Sequence, residues 1–551
     1  MQLGASYTVG NALLPDDTVA PELIVLWGVN LIYTSVGVRR ENFRDYLING
    51  AKLAVIDPKR IDIAKRADVW LKLRPQSDGA FVMGLLKVII EEGLYDKNIV
   101  DNWTVGFDQL AEHVKTFTLD DVESVSWVPR EQIEKFARLY ATSKPAMVQT
   151  GNGLEQGINS MQSIRALNIL RAICGNVNVP GGDLFLTPQK YNRPGRFYLP
   201  KEFPRPTEKA VGNEFKLAMK SAYVVVQSLV KAMREGKPYP VRAAWVILSD
   251  PLVSYPDTRE TYEAFMNLDF LVVDEIFPTP TAAIADILLP VAWGAEHDAL
   301  GYWPGWYQDL RAYPKLVEPP GEARSDAMII TEVANRLGFG EYFWDDEVAA
   351  LNHLLEPSGF TWEEFKSKRI LSSVAEYKKP EEGCFKTPSG KVEIYSQQLA
   401  DMGYSPMPLF EEVSRYRFEP SAEYPLLMTN RKEDAFMLTG YKHVEQARKH
   451  KRQPTVEVHP EVAEKLGLKE GEWVYIETKK GRIKQQLVLD RDLDPRVVFV
   501  SYGWWFPEEP EDLFQFRKSN INVLTDGDPP YETMVGAPEL RGIPCRLSKI
   551  K

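Results

Sequence analysis

Glycine, amide and acidic residues gather where apolar runs stop. Trp27-Gly28-Val29-Asn30 closes the run Leu23–Trp27, and Val55-Ile56-Asp57-Pro58-Lys59-Arg60 closes Lys52–Ile56. Gly151-Asn152-Gly153, with Gln156 just after, follows Ala146–Thr150. In an open parallel sheet, ligands bind beyond the carboxyl ends of the strands. A glycine there lets backbone approach a phosphate, an asparagine bonds phosphate or sugar, and an acidic residue after the second strand is placed to hold a ribose. Arg60 adds a fork for phosphate or a plane for stacking on a purine. Asp78 opens a long helical pattern, where capping alone would select it, yet its carboxylate could also accept the N1 and N2 donors of a guanine. Ser249-Asp250-Pro251 and Asp274 repeat the strand-end pattern further on. Each feature alone also reads as an ordinary strand-ending turn. No GxGxxG follows the first strand, so an ordinary nicotinamide or flavin site is not expected.

The elements that position these residues alternate. Strands at Leu23–Trp27, Lys52–Ile56 and Ala146–Thr150 are interleaved with helices over 38–49, 78–92 (amphipathic, capped by Ser77 or Asp78), 129–140 and Ser160–Ile173. That alternation predicts a parallel, doubly wound sheet. A Pro-, Gly- and Lys-rich stretch over 179–240 separates it from a second α/β passage: strand 243–248, helix 257–267 and strand 270–273. Residues 286–299 and the Trp-rich run to Trp306 show no clear period. From Tyr424 short β-branched runs alternate with turns, which predicts a small β-barrel. The expected division is 1–185, 186–423 and 424–551.

At 44% hydrophobic and 26% charged residues, the composition is that of a soluble globular chain, and no apolar run nears the roughly 18 residues of a membrane span. The opening MQLGASYTVGNALL has no charged n-region ahead of an apolar one, so no signal peptide is expected and the compartment stays open. A net charge of −11 argues against a nucleic-acid partner. One basic stretch, Lys442, His443, Arg448, Lys449, His450, Lys451 and Arg452, reads either as a solvated loop or as a site for a phosphorylated ligand. Cys174, Cys384 and Cys545 form no CxxC pair and read as buried thiols, so no four-cysteine cluster is available in the chain. Six histidines give no metal-site spacing, and no Ser–His–Asp arrangement stands out. From the residues alone the catalytic group is not visible.

The order and spacing of the short motifs resemble the molybdopterin oxidoreductases related to formate dehydrogenase, polysulfide and thiosulfate reductases, and acetylene hydratase. The runs that carry the resemblance are Leu26-Trp-Gly-Val-Asn30, Val55-Ile-Asp-Pro-Lys-Arg60, Ala67-Asp68, Leu73-Arg-Pro75, Asp78-Gly79, Gly151-Asn-Gly153, Phe277-Pro-Thr-Pro-Thr281, Ala285-Asp286 and Thr387-Pro-Ser-Gly-Lys391. They span essentially the whole chain. The resemblance implies two pseudo-symmetric α/β domains with doubly wound parallel sheets, and a C-terminal barrel of the six-stranded type. These would surround molybdenum or tungsten held by two molybdopterin guanine dinucleotides. It places Trp27, Gly28, Asn30, Asp57, Arg60 and Asp78 on one guanosine arm, and Gly151, Gly153, Gln156, Ser249, Asp250, Asp274 and Thr279 on the other side. Thr429, Asn430 and Arg431 correspond to a barrel loop at the pterin diphosphate, and Asn520 and Asn522 to late pterin contacts.

Two departures bear on function. Relatives of this branch begin with a cysteine-ligated iron–sulfur domain, and their metal takes a Cys, Sec or Ser ligand ahead of the first α/β strand. Neither occurs here, so the chain is expected to be N-terminally truncated, with its metal ligand (Sec, Cys or Ser) upstream of Met1 and none of its own; a selenocysteine codon read as stop would account for the start, and a plain frameshift or fragment is the alternative. The arginine-containing VRGQNN-type run of formate-oxidising relatives is also absent after Pro180-Gly-Gly182, which disfavours formate. The expected activity is two-electron redox of a small molecule, a sulfur oxyanion or polysulfide, with an iron–sulfur electron-transfer subunit as partner. The alternatives are a non-redox hydratase, suggested by Trp504-Trp-Phe-Pro-Glu508, and a catalytically silent scaffold.

Overall fold

The computed structural model describes residues 2–31, 40–187, 189–192, 209–220, 223–302 and 309–550. Its first unit is a parallel sheet of β1 (Leu23–Trp27), β2 (Lys52–Ile56), β3 (Val69–Leu71) and β4 (Ala146–Thr150), in the order β3-β2-β1-β4. All five residues of β1, an uninterrupted apolar run, and of β4, which ends in Gln149-Thr150, are buried, as in strands covered on both faces. Leu23, Val25 and Trp27 face α2 (Asp78–Glu91) and α3 (Ser160–Ile173), whereas Ile24 and Leu26 pack with Phe43 of α1 (Arg40–Ile48). The helix expected over 38–49 is described from Arg40; residues 38 and 39 lie outside the described residues.

Helix α2 departs from the amphipathic expectation. It is buried on every side from Gly79 to Ile89, because the chain returns over residues 384–413 to cover the face that would otherwise meet water. Cys384, Phe385, Val392, Ile394, Met407 and Val413 belong to the same core as α2. Ser77 precedes the helix without capping it, since its hydroxyl donates to the Arg74 carbonyl at 2.8 Å. Lys87, inside this core, keeps its charge paired by donating to Glu91 and to the Val114 carbonyl.

The second unit is a three-stranded parallel sheet, β7-β6-β5, built from β5 (Ala243–Ile247), β6 (Phe270–Glu275) and β7 (Ile287–Pro290). Strand β7 falls in the stretch whose sequence showed no period, and the Trp-rich run at 303–306 lies outside the described residues. One face carries α4 (Thr258–Met266) together with Trp505, Phe514 and Phe516 from the barrel side. The closed six-stranded barrel follows: β8 (Leu426–Arg431), β9 (Thr455–Val458), β10 (Trp473–Glu477), β11 (Arg482–Leu489), β12 (Val497–Ser501) and β13 (Ile543–Lys549), in the order β8-β12-β9-β11-β10-β13.

The two α/β units repeat one plan. In the first, Asp68 just before β3 accepts a hydrogen bond from the Leu53 amide of β2 at 2.8 Å. In the second, Asp286 just before β7 accepts one from the Leu271 amide of β6 at 2.7 Å. The residue after β1, Gly28, has φ +59°, and the residue after β5, Leu248, has φ +54°. Asn30 and Asp250 each lie two residues beyond. Ser77-Asp78 opens α2, and Ser325-Asp326 opens α5 (Asp326–Arg336) in the same way.

The barrel is tied to both units. Lys59 bridges to Glu457 and Asp490, each at 2.7 Å, and Lys65 and Lys72 reach Asp492 and Asp494. On the other side Lys480 meets Asp257 at 2.9 Å. No helix among the described residues is long and apolar enough to cross a membrane.

Candidate functional site

The strand order of the first unit reverses between β1 and β4, and a crevice opens beyond their carboxyl ends, where such sheets bind ligands. The barrel roofs it, leaving a cavity of about 510 Å³. Gly28, Asn30, Asp57, Arg60, Asp78, Gly151 and Gly153 line it from the first unit, and Thr429, Asn430 and Arg431 from the barrel. Ten residues singled out from the sequence, scattered over four hundred positions, thus share one wall; Gly151 and Gly153, expected on the other side with Asp250 and Asp274, lie here instead. Gly151 is glycine for a packing reason: a Cβ there would stand 2.1 Å from the Gly28 carbonyl oxygen. Gly153 keeps open space toward the cavity, its nearest neighbour to an added Cβ being 3.9 Å away.

Two carboxyls in this wall are shielded from water. Asp78 accepts from the Trp27 indole at 2.7 Å, and burial still raises it to about 6. Asp57 accepts from the Lys59 amide at 2.9 Å, and burial raises it to about 7. Trp27 itself is in the core, so its contribution is to hold Asp78. Arg431 points at Glu457 and Glu433 of the barrel, and Arg60 lies over the Trp70 ring at 5.7 Å.

Sequence reasoning singled out Arg60 and Arg431 but missed Arg541 at this site. Arg541, from the turn before β13, lines the cavity and donates to the Gln156 side chain at 2.9 Å. It also reaches the Thr429 hydroxyl at 3.4 Å and the Asn430 carbonyl at 3.3 Å. Burial lowers its pKa to about 10, against the pull of Asp57, Tyr502 and Asp78. Gln156 therefore serves the site through Arg541 and through the Gln76 amide, which donates to its carbonyl.

The counterpart region of the second unit is built from carboxylates. Asp250 accepts from the Thr281 hydroxyl at 2.5 Å with one oxygen, and its other oxygen is buried without a partner among the described residues. Asp274 accepts from the Trp245 indole at 2.7 Å and also leaves one buried oxygen unpartnered. Asp326, which sequence reasoning did not single out, contributes a third. Burial raises all three, Asp250 to about 7. Thr279 accepts from the Ala282 amide at 3.2 Å, and Ser249 is half-buried on the same strand end. These residues lie away from the 510 Å³ cavity. Buried oxygens lacking partners are costly, so Asp274 and Asp326, close enough to repel each other, and Asp250 mark places shaped for donors.

The Molybdopterin oxidoreductase family profile matches residues 4–336, and that of the Molydopterin dinucleotide binding domain matches 426–544. The chain belongs to the molybdopterin oxidoreductase family. It is 33% identical over 535 residues to acetylene hydratase of Syntrophotalea acetylenica, covering 90% of this chain and 73% of that protein. Formate dehydrogenase H of Escherichia coli is 27% identical over 496 residues, covering 83% of this chain and 65% of that one. The solved structure of acetylene hydratase from Pelobacter acetylenicus superposes with a TM-score of 0.89 at 29% identity, covering 99% of this chain and 80% of that one. A molybdenum or tungsten pterin cofactor goes with the matched C-terminal domain.

The residues present fit such a group: open glycine backbone, shielded carboxyls facing a cavity, and the guanidinium groups of Arg541, Arg74 and Arg171. Other expectations of the family resemblance are redistributed. Asn520 and Asn522 are buried, and both donate to the Val253 carbonyl, at 3.1 and 2.8 Å. They join the barrel to the second unit and lie away from the cavity. The basic stretch is not the solvated loop of the plainer reading. Lys442 is fully buried over the Phe436 and Trp504 rings, and burial lowers it to about 7. Arg448 pairs with Glu508, while Lys449 on the exposed side pairs with Glu445 at 2.9 Å. Among the described residues no group of three or more His, Cys, Asp or Glu is arranged to hold a metal ion.

Proposed function

We propose that this chain is the catalytic subunit of a two-electron oxidoreductase that binds two molybdopterin guanine dinucleotides, one at each α/β unit. The repeated plan of the units supports this most directly. Each presents a buried carboxylate held by a tryptophan indole, and each has a Ser-Asp pair opening a helix beyond its sheet. A carboxylate fixed at one oxygen keeps the other for a guanine edge, whose two adjacent N–H donors suit it. Asp78 takes this role in the first unit, and Asp274 with Asp326 in the second.

Around the first arm, Asn30 and the open backbone at Gly153 face the sugar and phosphates, and Arg541 supplies the charge that a diphosphate needs in a shielded cavity. Thr429 and Asn430 hold Arg541 from the barrel, so closing the barrel and completing the anion site are one event. Trp505, fully buried against the second unit's core, keeps water from that junction, while Trp504 is fully buried with Phe436 and Phe506 beside it. When bound, the metal of such a cofactor supplies the two-electron or Lewis-acid chemistry, and the residues of this chain bind, orient and desolvate it. The proposed substrate class is a sulfur oxyanion or polysulfide, with an iron–sulfur subunit passing electrons.

A hydratase reading is favoured by the 33% identity to acetylene hydratase. One comparison separates the two. Holoenzyme supplied with reduced viologen should reduce thiosulfate or polysulfide and should make no acetaldehyde from acetylene. Acetaldehyde formation without any net electron donor would replace the redox reading with the hydratase one. Failure of both would leave a scaffold.

A further inference from the structure

A non-glycine residue with a positive φ is uncommon and strained, and beside a site that strain is a lead to function. Several stand in this fold, Leu248 and Asp257 among them, but of those in the described residues only Gln76 lines the 510 Å³ cavity. Its φ is +71°. The Ser77 amide donates to the Arg74 carbonyl at 3.2 Å, so Arg74-Pro75-Gln76-Ser77 is a turn with proline second and a left-handed residue third. That is the type II pattern, whose third position favours glycine or asparagine. The backbone gains nothing from a glutamine there, which leaves the side chain to account for it.

That side chain is seated at both ends of its amide. Nε2 donates to the Gln156 carbonyl at 3.0 Å. Oε1 lies over Gly157, where an added Cβ would stand 1.8 Å from it, so the notch exists because residue 157 has no side chain. The same Gln156 carbonyl accepts from the Leu540 amide at 3.2 Å, and the Gln156 side chain accepts from Arg541 at 2.9 Å. Two residues after Gln76 comes Asp78, held by the Trp27 indole. One amide thus bridges the turn that starts α2 to the segment that holds Arg541.

From this we infer that Gln76 is a positioning residue whose amide fixes the spacing between Asp78 and Arg541. One nucleotide can then meet the carboxylate with its base and the guanidinium with its phosphates. A glycine at 76 would trace the same turn without strain and without this tether. The role rests on the guanine-dinucleotide reading of the cavity, and adds to it what sets the distance between the two ends.

Release of guanosine nucleotide from the purified holoenzyme tests it, read beside the melting temperature. Gln76→Asn suits the turn at least as well as glutamine and keeps an amide, but ends one methylene short of the Gln156 carbonyl. It should melt within about 2 °C of wild type and release nucleotide about tenfold faster, as a displaced charged hydrogen bond implies. Gly157→Ala should speed release in the same way by filling the notch, and Gln76→Asn serves alone if that variant does not fold. Adding Gln76→Asn to Arg541→Ala should change little further, since the tether acts through that guanidinium. Wild-type release from Gln76→Asn, with Arg541→Ala releasing quickly, would overturn the inference and leave the reading of the cavity intact. Faster release that tracks a fallen melting temperature, or that adds in full to the Arg541→Ala effect, would also overturn it, since the glutamine would then serve the fold alone. Wild-type release from Arg541→Ala would remove the cavity reading and the inference with it.

Discussion

The two α/β units share strand order, an Asp-to-amide bond beneath the second strand, and a left-handed residue after the first. They differ in what surrounds those features. The first unit is sealed: both sheet faces are covered, the barrel roofs its crevice, and Arg541 sits among Asp57, Asp78 and Tyr502. Among the described residues the second is open on one face, and its strand ends hold carboxylates with unpartnered oxygens. The same backbone plan thus yields a preorganised cavity in one case and a set of acceptors awaiting donors in the other. Preorganisation comes from what packs on the sheet and not from the sheet itself.

The largest expected effect concerns the sealed side. Arg541→Ala should weaken cofactor retention by about 1.5–3 kcal/mol, the usual worth of a charged hydrogen bond, or roughly ten- to a hundredfold. Arg541→Lys should recover part of it, and nucleotide remaining after dialysis measures both. Wild-type retention in Arg541→Ala would end the idea that the barrel completes the first anion site.

Next come the two indole–carboxylate pairs. Trp245→Phe removes one hydrogen bond at a half-exposed position and should cost about 1 kcal/mol. Trp27→Phe removes the same bond from a side chain 1% exposed in the core and also leaves a void, so it should cost about 2 kcal/mol or more in unfolding free energy. Denaturant titration ranks them, and equal costs would mean that the two units are equally well packed.

The pH response is smaller and shared between the units. Burial raises Asp57 to about 7, Asp78 to about 6 and Asp250 to about 7. A carboxyl raised by folding contributes stability that is full below its ordinary pKa and is lost as pH rises through the folded value. Burial lowers His443 to about 4, which works oppositely: its contribution is present above the ordinary histidine value and is lost as pH falls through the folded one. Burial likewise raises Asp183 to about 6, Glu532 to about 7 and Glu539 to about 8, while Lys442, lowered to about 7, acts in the same sense as His443. The cofactor-free chain should therefore melt at lower temperature at about pH 8 than at about pH 5, the raised carboxyls outweighing the lowered histidine and lysine. Asp57→Asn should make that drop shallower. A drop of wild-type size in this variant would place the Asp57 proton elsewhere.

Leu248→Gly should have the smallest effect. Leu248 is 84% exposed at a φ of +54°, where an L side chain costs about 1–2 kcal/mol and glycine costs none. Unfolded-state entropy returns part of that, so a gain of about 0.5–1 kcal/mol in unfolding free energy is expected. A loss would show that the leucine side chain makes a contact that outweighs the strain.

Much of this arrangement was legible before any coordinates. Strands β1, β2 and β4 could be bounded to the residue: β1 is an unbroken apolar run, and turn residues close β2 at Asp57-Pro58 and β4 at Gly151-Asn152-Gly153. Strands β3 and β7 are only three and four residues long and were not found. The Asp68 and Asp286 side chains just before them were the available signal. Arg541 was invisible because its partner Gln156 is 385 positions away, and no local pattern marks an arginine that acts across a fold. Asp326 could have been found from the repeated Ser-Asp pair, had α5 been aligned with α2. Asn520 and Asn522 were singled out by type; in the fold both donate to the Val253 carbonyl, a long-range contact that no local pattern marks.

Counting guanosine nucleotides in the purified holoenzyme tests the two-site reading most directly. Acid hydrolysis should release about two per metal from wild type, and fewer from Asp78→Ala or Asp326→Ala, each of which loses an acceptor worth about 1.5–3 kcal/mol. A single guanosine per metal in wild type, or a different base, would contradict the claim that both α/β units hold a guanine dinucleotide.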